Sequence, residues 1–407
     1  MAACDSTLQT LAFEVESSWA ESATTMTYGV TTNEPIDISG ITQTMLAPER
    51  VVARRLAGSK GIPGPFSISF SFSCHLTGHG STTSGATTLS DLYRLMGLAL
   101  GGGAVVASAG TTLTGGTATV PTTTASGTFS AGGLCRIGAL GDGDGEGQFY
   151  AISTHSTTSL TLLNDLAGAP QNGAVLYSAD LAYPASSSCS LTGVRFRIQT
   201  ADTQWVLHGC FPTAIGFSGL NPGETPKVNF TWGASWAEPV STTFPTTPTA
   251  DTFSPSPVAA DGSCFYNTVG TSTRALLNLR QFSVEYSLGV VPVMGGSGVN
   301  GYQVITGATR TQDTCTVNLT VDAEGADTTP TWWDEWLSNP AKHLLYTLNS
   351  KAGQAVGFYF RNLCYTGNRP SQTATNGRNT VSMSFMAYAG STTTSDLTLA
   401  PLVIAGA

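Results

Sequence analysis

The chain carries one pattern twice, and this duplication limits the folds it can adopt. Residues 66–96 alternate between apolar and serine side chains and end in a short helical pattern, and residues 315–337 repeat that order. Alternation with a period of two gives a strand one buried face and one exposed face. We therefore predict two strands of this kind, each covered on its apolar face by the helix that follows.

The two helical patterns differ in their side chains but begin in similar ways. Thr88 is the predicted N-cap of the first helix, and Thr329 is the predicted N-cap of the second, where Pro330 follows at the first helical position. Apolar residues recur along one stripe of each helix, which predicts packing on the strand. The predicted core of the two modules comprises Phe66, Ile68, Phe70, Phe72, Val317, Leu319, Val321, Trp333 and Trp336.

The duplication continues downstream in the same order. Residues 194–211 and 344–365 both have the pattern of a hairpin with a polar turn, and the alternation at 228–234 returns at 381–387. Agreement in order, type and spacing across four elements indicates two copies of one module.

A long insertion separates the first helix from its own hairpin. It opens with a low-complexity tether and continues with four short strand patterns at 134–138, 148–153, 159–163 and 174–178, which predict a small β-barrel. The predicted domains are a discontinuous first module at 1–100 and 183–240, the inserted small β domain at 101–182, a linker at 241–265, and the second module at 266–407.

The composition favours a surface that packs against other copies. Only 11% of the 407 residues are charged, and the exposed strand faces carry Ser and Thr instead. The net charge of −9 argues against stable nucleic-acid binding, which needs basic side chains. We find no run of about 18 apolar residues and no export signal, so we expect no membrane association.

No catalytic motif is present, and we expect neither an enzyme nor a cofactor. Residues 141–147 (GDGDGEG) space their carboxylates as calcium loops do, but Ser153 stands where an EF-hand has its bidentate glutamate. A turn between strands is the preferred interpretation, and calcium binding stays open there. His75 and His79 lack partners that would complete a metal site.

A basic segment at 43–64 is bounded by Gly and Pro residues and predicts a long hairpin arm. It contains Arg50, Arg54, Arg55 and Lys60. The arm is either a solvated charged loop or a segment that reaches a neighbouring, acidic subunit.

The order of elements resembles the tail tube proteins of long-tailed bacteriophages. The resemblance covers about residues 8–100 and 185–390 and rests on FEVESSWAES near the start, the strand–helix pairs and the stretch from WVLHGCF to WGASWAE. It implies a mainly β fold with two tandem β-sandwich or half-barrel modules, each with one short helix, plus the inserted barrel.

The resemblance also implies a function and partners. Six modules form a ring in that family, so a chain with two modules implies a trimeric, pseudo-hexameric ring. Rings stack through the arm into a virion tail tube, assembled in the host cytoplasm, through which double-stranded DNA is ejected. The implied partners are other copies, the tape measure protein, the tail terminator and baseplate or hub proteins.

Two other classes of protein remain as alternatives. A β-rich adhesin or carbohydrate-binding surface protein has a similar Thr/Gly composition but needs an export signal. A β-sandwich hydrolase needs a pair of carboxylates or a catalytic triad, and neither pattern is found.

Overall fold

The protein is described from a computed structural model, and its fold is mainly β. The structure describes residues 9–20, 26–36, 38, 41–46, 62–78, 89–106, 111–123, 129–138, 147–156, 158–166, 168–170, 172–177, 179–185, 190–200, 203–240, 262–271, 276–295, 304–322, 330–349, 354–375, 378–390 and 395–407. Within these ranges, no helix is both long enough and apolar enough to span a bilayer.

The strands before residue 250 are β1 (Gln9–Val15), β2 (Tyr28–Thr32), β3 (Thr42–Leu46), β4 (Ile62–His75), β5 (Gly103–Val106), β6 (Thr111–Gly116), β7 (Pro121–Thr123), β8 (Leu134–Ile137), β9 (Gln148–His155), β10 (Leu160–Leu162), β11 (Val175–Tyr177), β12 (Asp180–Tyr183), β13 (Val194–Thr200), β14 (Thr203–Ser218), β15 (Lys227–Ala234) and β16 (Trp236–Val240). The later strands are β17 (Ser263–Thr268), β18 (Leu279–Ser287), β19 (Val290–Gly295), β20 (Val304–Arg310), β21 (Thr314–Asp322), β22 (Lys342–Leu348), β23 (Val356–Tyr365), β24 (Ser371–Thr375), β25 (Arg378–Tyr388) and β26 (Leu402–Gly406). The helices are α1 (Asp91–Ala99), α2 (Pro330–Ser338) and α3 (Asp396–Leu399).

Two groups of strands pair in the same order. In the first, β1, β13, β14, β15 and β4 are successive antiparallel neighbours. In the second, β17, β22, β23, β25 and β21 are neighbours in that order. We call the first group, with β2 and β16, the first strand set, and the second group, with β18 and β26, the second strand set.

One large core runs through both strand sets. Phe217 of β14 makes an edge-to-face contact with Phe358 of β23, with ring centroids 5.1 Å apart. The Tyr346 hydroxyl donates to the Leu220 carbonyl oxygen at 2.9 Å. Ile68, Phe70, Phe72, Val317, Leu319 and Val321 are all buried in this core. The alternation of these strands therefore directs their apolar faces into a core shared by the two sets.

The insertion forms a nearly closed six-stranded barrel. Its strand order is β10, β9, β8, β11, β6, β7, and a bridge between Thr122 and Ser159 links the two ends. The segment that we predicted to be a tether therefore contains strands β5, β6 and β7. Small apolar residues and Thr residues alternate in these strands. This alternation lets one face of each strand be buried, as Leu113 of β6 and Thr123 of β7 are.

The barrel is inserted into the first strand set in sequence but packs against the second. Leu134 and Phe149 share a hydrophobic cluster with Leu345, Tyr359 and Val403. At its base, β5 pairs with β12, and β12 pairs with β26. The sheet therefore extends from β23 through β26 and β12 to β5.

Three further expectations meet the structure in different ways. β17 begins at Ser263, inside the predicted linker, because Cys264 and Tyr266 are buried when it pairs with β22. α1 begins after Ser90, whose side chain makes no capping hydrogen bond, and the predicted cap Thr88 lies outside the described residues. The Phe66 side chain also lies outside what the structure describes.

The assignment of Trp333 to the core is wrong. Its side chain is 44% exposed, whereas Trp332 and Trp336 are the residues of α2 that pack against the core. The stripe of this helix is therefore rotated from the one we predicted.

Candidate functional site

The two strand sets join edge to edge at a seam between β14 and β18. Ala214, Ile215, Gly216 and Phe217 pair with Ser287, Tyr286, Glu285 and Val284. The same β14 residues pair with β15, so β15 and β18 lie on opposite edges of β14. The seam makes one continuous sheet from β4 through β15, β14, β18 and β21 to β25.

The face of this sheet opposite the core is polar. One row of directly paired residues crosses all six strands and consists of Ser73, Asn229, Gly216, Glu285, Thr316 and Met386. The next row consists of Ser71, Thr231, Ala214, Ser287 and Thr314. Glu285 is the one ionisable side chain in these two rows. The serine alternation noted in the sequence thus produces two almost uncharged rows that span both strand sets.

Hydrogen bonds between neighbouring strands hold this polar face together. The Ser384 hydroxyl donates to Asn318 Oδ1 at 2.7 Å, and the hydroxyls of Thr320 and Ser382 lie 2.9 Å apart. Side chains that satisfy one another in this way leave few unpaired hydrogen-bonding groups on the face.

A shallow groove of about 410 Å³ lies at one end of this face. Its lining residues are Asn221, Gln281, Phe282, Ser283, Asn318, Leu319, Thr320, Asn368, Arg369, Ser371, Ser382, Met383 and Ser384. Its one aromatic residue, Phe282, is buried, so the groove offers no exposed aromatic ring for stacking on a sugar.

Corresponding positions of the two strand sets make corresponding hydrogen bonds. The Thr213 hydroxyl donates to the Thr231 carbonyl oxygen at 3.0 Å, and the Thr366 hydroxyl donates to the Ser384 carbonyl oxygen at 3.2 Å. Thr213 lies within β14 and Thr366 directly follows β23, and each contacts the strand that pairs with its hairpin strand. β16 pairs with residues 204–208 of β14, and β26 pairs with residues 356–360 of β23.

The outer boundaries of the two sets differ. β14 has strands on both edges at the seam, whereas β24, which follows β23, pairs with β25 alone among the described strands. Ser371 and Thr373 of β24 are exposed. The second strand set therefore ends in a sheet edge at the position where the first set is joined to β18.

The two long helices also differ in how they are covered. Six residues of α1 are buried: Leu92, Tyr93, Leu95, Met96, Gly97 and Ala99. Arg94 lies over the Tyr28 ring at 4.2 Å, and Asp91 accepts a hydrogen bond from the Gly29 amide at 2.9 Å. α1 is thus enclosed by the sheet around it.

α2 is held from one side. Glu335 Oε1 lies 2.5 Å from Lys342 Nζ, and the Lys342 side chain is only 6% exposed. The Trp332 ring lies 5.8 Å from that of Tyr266, and Asn339 Oδ1 accepts from the Tyr365 amide at 2.8 Å. The opposite side carries Trp333 and Leu337, which are 44% and 63% exposed.

Burial favours the neutral forms of several thiol and imidazole groups in the core. Burial raises the pKa of the Cys74 and Cys315 thiols well above the ordinary value, which makes them unreactive. Burial, followed by Lys342 and Arg361, lowers the pKa of His343 to about 4. His343 Nε2 lies 3.3 Å from Asn164 Nδ2, at the contact between the barrel and the second strand set.

The remaining predicted sites lie in other parts of the chain. Arg50, Arg54, Arg55 and Lys60 lie outside the described residues, although β3 and β4 do pair as the two strands of a hairpin. Residues 141–146 of the possible calcium loop also lie outside. Among the described residues, no group of three His, Cys, Asp or Glu side chains is placed to hold a metal ion.

Sequence reasoning missed the seam and the cover of α1. The acidic alternation of β18, Val284-Glu285-Tyr286, has a counterpart in Ile36-Asp37-Ile38, which could have indicated a common role. No model of a known protein family matches the chain, and no curated protein is significantly similar to it.

Proposed function

We propose that the protein is a structural protein that polymerises into rings, and that the two strand sets are tandem copies of one module. The observation that carries this proposal is the β14–β18 seam, where a strand of the second set extends the sheet of the first. A second copy can extend the sheet in the same way at β24, the corresponding edge of the second set. An exposed sheet edge is a template for pairing with another chain.

The segment that would add to β24 is residues 33–41 of the next copy. It follows β2, and its Ile-Asp-Ile repeats the Val-Glu-Tyr of β18. The Asn33 amide donates to the Ser73 carbonyl oxygen at 2.8 Å, which places the start of the segment beside β4 as β18 lies beside β21. The contact is heterologous, so its repetition closes a ring if the rotation permits.

The two polar rows have the composition expected for the lining of a conduit. A closed ring of such sheets has no free edges, and its inner face would be lined by Ser, Thr and Asn with Glu285 as a sparse acidic group. The two rows described above contain no basic side chain to bind phosphates, so DNA could pass over them without binding tightly. We accordingly propose a trimeric, pseudo-hexameric ring that stacks into a phage tail tube, located in the virion, with the tape measure, terminator and baseplate or hub proteins as partners.

Electron microscopy of the purified protein tests this proposal. We expect stacked rings whose averages have pseudo-sixfold symmetry from three chains. The matched variant replaces Gln372 on β24 by Pro, because by register its amide faces the free edge and proline removes that main-chain donor without breaking the ladder to β25. Loss of rings with an unchanged melting temperature is the expected result. Rings of six full-length chains, or dispersed monomers at every concentration and salt, contradict the proposal.

A second candidate function is carbohydrate binding, and exposed Trp333 is the observation that favours it. Its ring lies 5.2 Å from that of Trp336, which gives the helix a small aromatic platform. Quenching of tryptophan fluorescence by an oligosaccharide, absent in Trp333→Ala, would support this candidate. A dispersed protein that binds sugars and forms no rings would establish it over the tube.

A further inference from the structure

The outward face of α2 is an apolar surface that stays exposed in the part of the chain that the structure describes. Trp333 and Leu337 lie four residues apart, on the same side of the helix, and both are largely exposed. The other side of α2 is fixed by the Glu335–Lys342 ion pair and by Trp332 and Trp336. Two large apolar side chains aligned on a rigid helix mark an interaction surface.

The corresponding helix α1 indicates what covers such a face. The Tyr93 hydroxyl lies so close to Gly406 of β26 that a Cβ there would be 2.2 Å away. At Gly97, a Cβ would lie 2.8 Å from the Gly103 carbonyl oxygen of β5. The sheet of β26, β12 and β5 therefore packs directly on α1. β26 belongs to the second strand set, so the helix of one set is covered by the last strand of the next.

β16 holds in the first strand set the place that β26 holds in the second. Each is the last strand of its set and pairs with the hairpin strand, β14 or β23. Leu402 and Ile404 of β26 face the large core beside α1. Their counterparts by register are Ala237 and Pro239 of β16, of which Pro239 is exposed.

We propose that Trp333 and Leu337 of one copy pack against Ala237 and Pro239 of β16 in a second copy. The inference rests on the proposed ring, because it assumes that the junction between copies repeats the junction between strand sets. Within the chain, the set that contributes β18 to the seam also contributes β26 to the cover of α1. The copy that contributes residues 33–41 to β24 therefore contributes its β16 to α2.

Two features of this contact favour a second copy over a sugar as the occupant. Both sides are apolar, and an exposed proline is a flat surface for an indole ring. The contact also continues the seam, so both are made by the same first strand set of the arriving copy. A sugar would instead require several hydrogen-bonding groups on the same face as the ring, and the residue one turn further along that face is the apolar Leu337.

Disulfide trapping tests the contact. The chain with Trp333→Cys and Pro239→Cys is oxidised under assembling conditions and separated on a denaturing gel. We expect a ladder of linked copies, because a disulfide needs Cα atoms within roughly 7 Å. The matched control carries Pro239→Cys with Val293→Cys, another exposed apolar residue, and should give no ladder. That control also measures the background from the native cysteines.

A second measurement compares assembly of the parent and of a variant without any cross-link. The Trp333→Ala and Leu337→Ala double variant should melt as the unassembled parent does, because both side chains are exposed there. Its assembly should require roughly tenfold higher protein concentration, the ratio that about 1.4 kcal/mol produces.

The outcomes separate this inference from the proposed function. Rings that form without a ladder and with an unchanged assembly threshold overturn the contact and leave the ring proposal intact. Absence of rings in the parent overturns the ring proposal and the contact with it. Quenching of Trp333 by a sugar, with no cross-link between copies, assigns the face to carbohydrate binding and overturns the contact.

Discussion

Helices α1 and α2 occupy the same place in the order of the two strand sets, yet one is enclosed and the other is half bare. α1 has apolar or small residues on nearly every side and is packed by β2, β5, β12 and β14. α2 combines tryptophans with Asp334 and Glu335 and is fixed by an ion pair on one side.

The difference teaches that the cover of a helix comes from outside its own strand set. The cover of α1 includes β26 from the second set and the strands at the base of the barrel. The outward face of α2 has no such cover among the described residues of one copy. In the proposed ring, the first strand set of another copy supplies it.

The largest effect should come from removing the strands that cover α1. Deleting residues 104–182 removes β5 and β12, whereas replacing 108–177 by a short Gly linker keeps them as a hairpin. We expect the longer deletion to give insoluble protein, since it exposes Tyr93 and Gly97. The shorter deletion should stay soluble with a lower melting temperature, because Leu345 and Tyr359 lose the barrel, and its tubes should be thinner. Equal solubility of both would show that α1 needs no cover.

The next test compares the two faces of β4. Phe70→Asp puts an unpaired charge into the shared core and should cost several kcal/mol of unfolding free energy. The neighbouring Ser71 is exposed on the polar face. Ser71→Asp should therefore change the unfolding free energy of the monomer by no more than about 0.5 kcal/mol. Denaturant unfolding of the two proteins measures both values. Similar losses would contradict the register of this strand.

The ion pair of α2 gives a third test. Glu335→Ala leaves Lys342 buried without its carboxylate and should destabilise the second strand set by roughly 3 kcal/mol. Glu335→Gln, which retains a hydrogen-bond acceptor, should cost less. Asp91 accepts a hydrogen bond from the neutral Gly29 amide, so Asp91→Ala should cost less than Glu335→Ala. If the three variants unfold at the same denaturant concentration, α2 is not held by this pair.

The contact between the barrel and the second strand set should respond to acid. The pKa of His343 is about 4 when folded, below the ordinary value of 6.5, so the unfolded chain binds a proton that the folded chain does not. The free energy of unfolding is therefore highest above pH 6.5, where His343 is neutral in both states. It falls by about 3 kcal/mol as the pH is lowered toward 4. Unfolding of His343→Gln across this window should depend less on pH. An identical pH dependence would contradict the assignment.

Some of this organisation follows directly from the sequence, and some depends on contacts that sequence does not encode locally. The alternation around Phe70 and Leu319 predicted both buried strand faces, because a period of two is a property of the strand itself. The exposure of Trp333 was missed because a helical stripe does not say which elements will be beside it. β5 and β6 were missed because Gly, Ala and Thr residues form strands here only when β12 and β11 pair with them.

The smallest effect is expected at the basic arm. Replacing Arg54 and Arg55 by Glu should leave the fold unchanged and shorten the tubes, because exposed ion pairs contribute only roughly 0–1 kcal/mol each. About 1 M salt, where the Debye length is roughly 3 Å, should shorten parental tubes in the same direction. Tube lengths measured against salt for both proteins decide the matter. Equal lengths with equal salt dependence would make the arm a solvated loop.

The β14–β18 seam has a consequence for the kinetics of assembly. A junction inside one chain forms at an effective concentration set by the linker, independent of how dilute the protein is. In the ring of tandem modules that we propose, every second junction would then already be closed when the chain has folded. Ring formation therefore follows a lower reaction order in protein than it would for separate modules. The other half of the junctions form between separate copies. Their formation is the step that a nucleating partner can control.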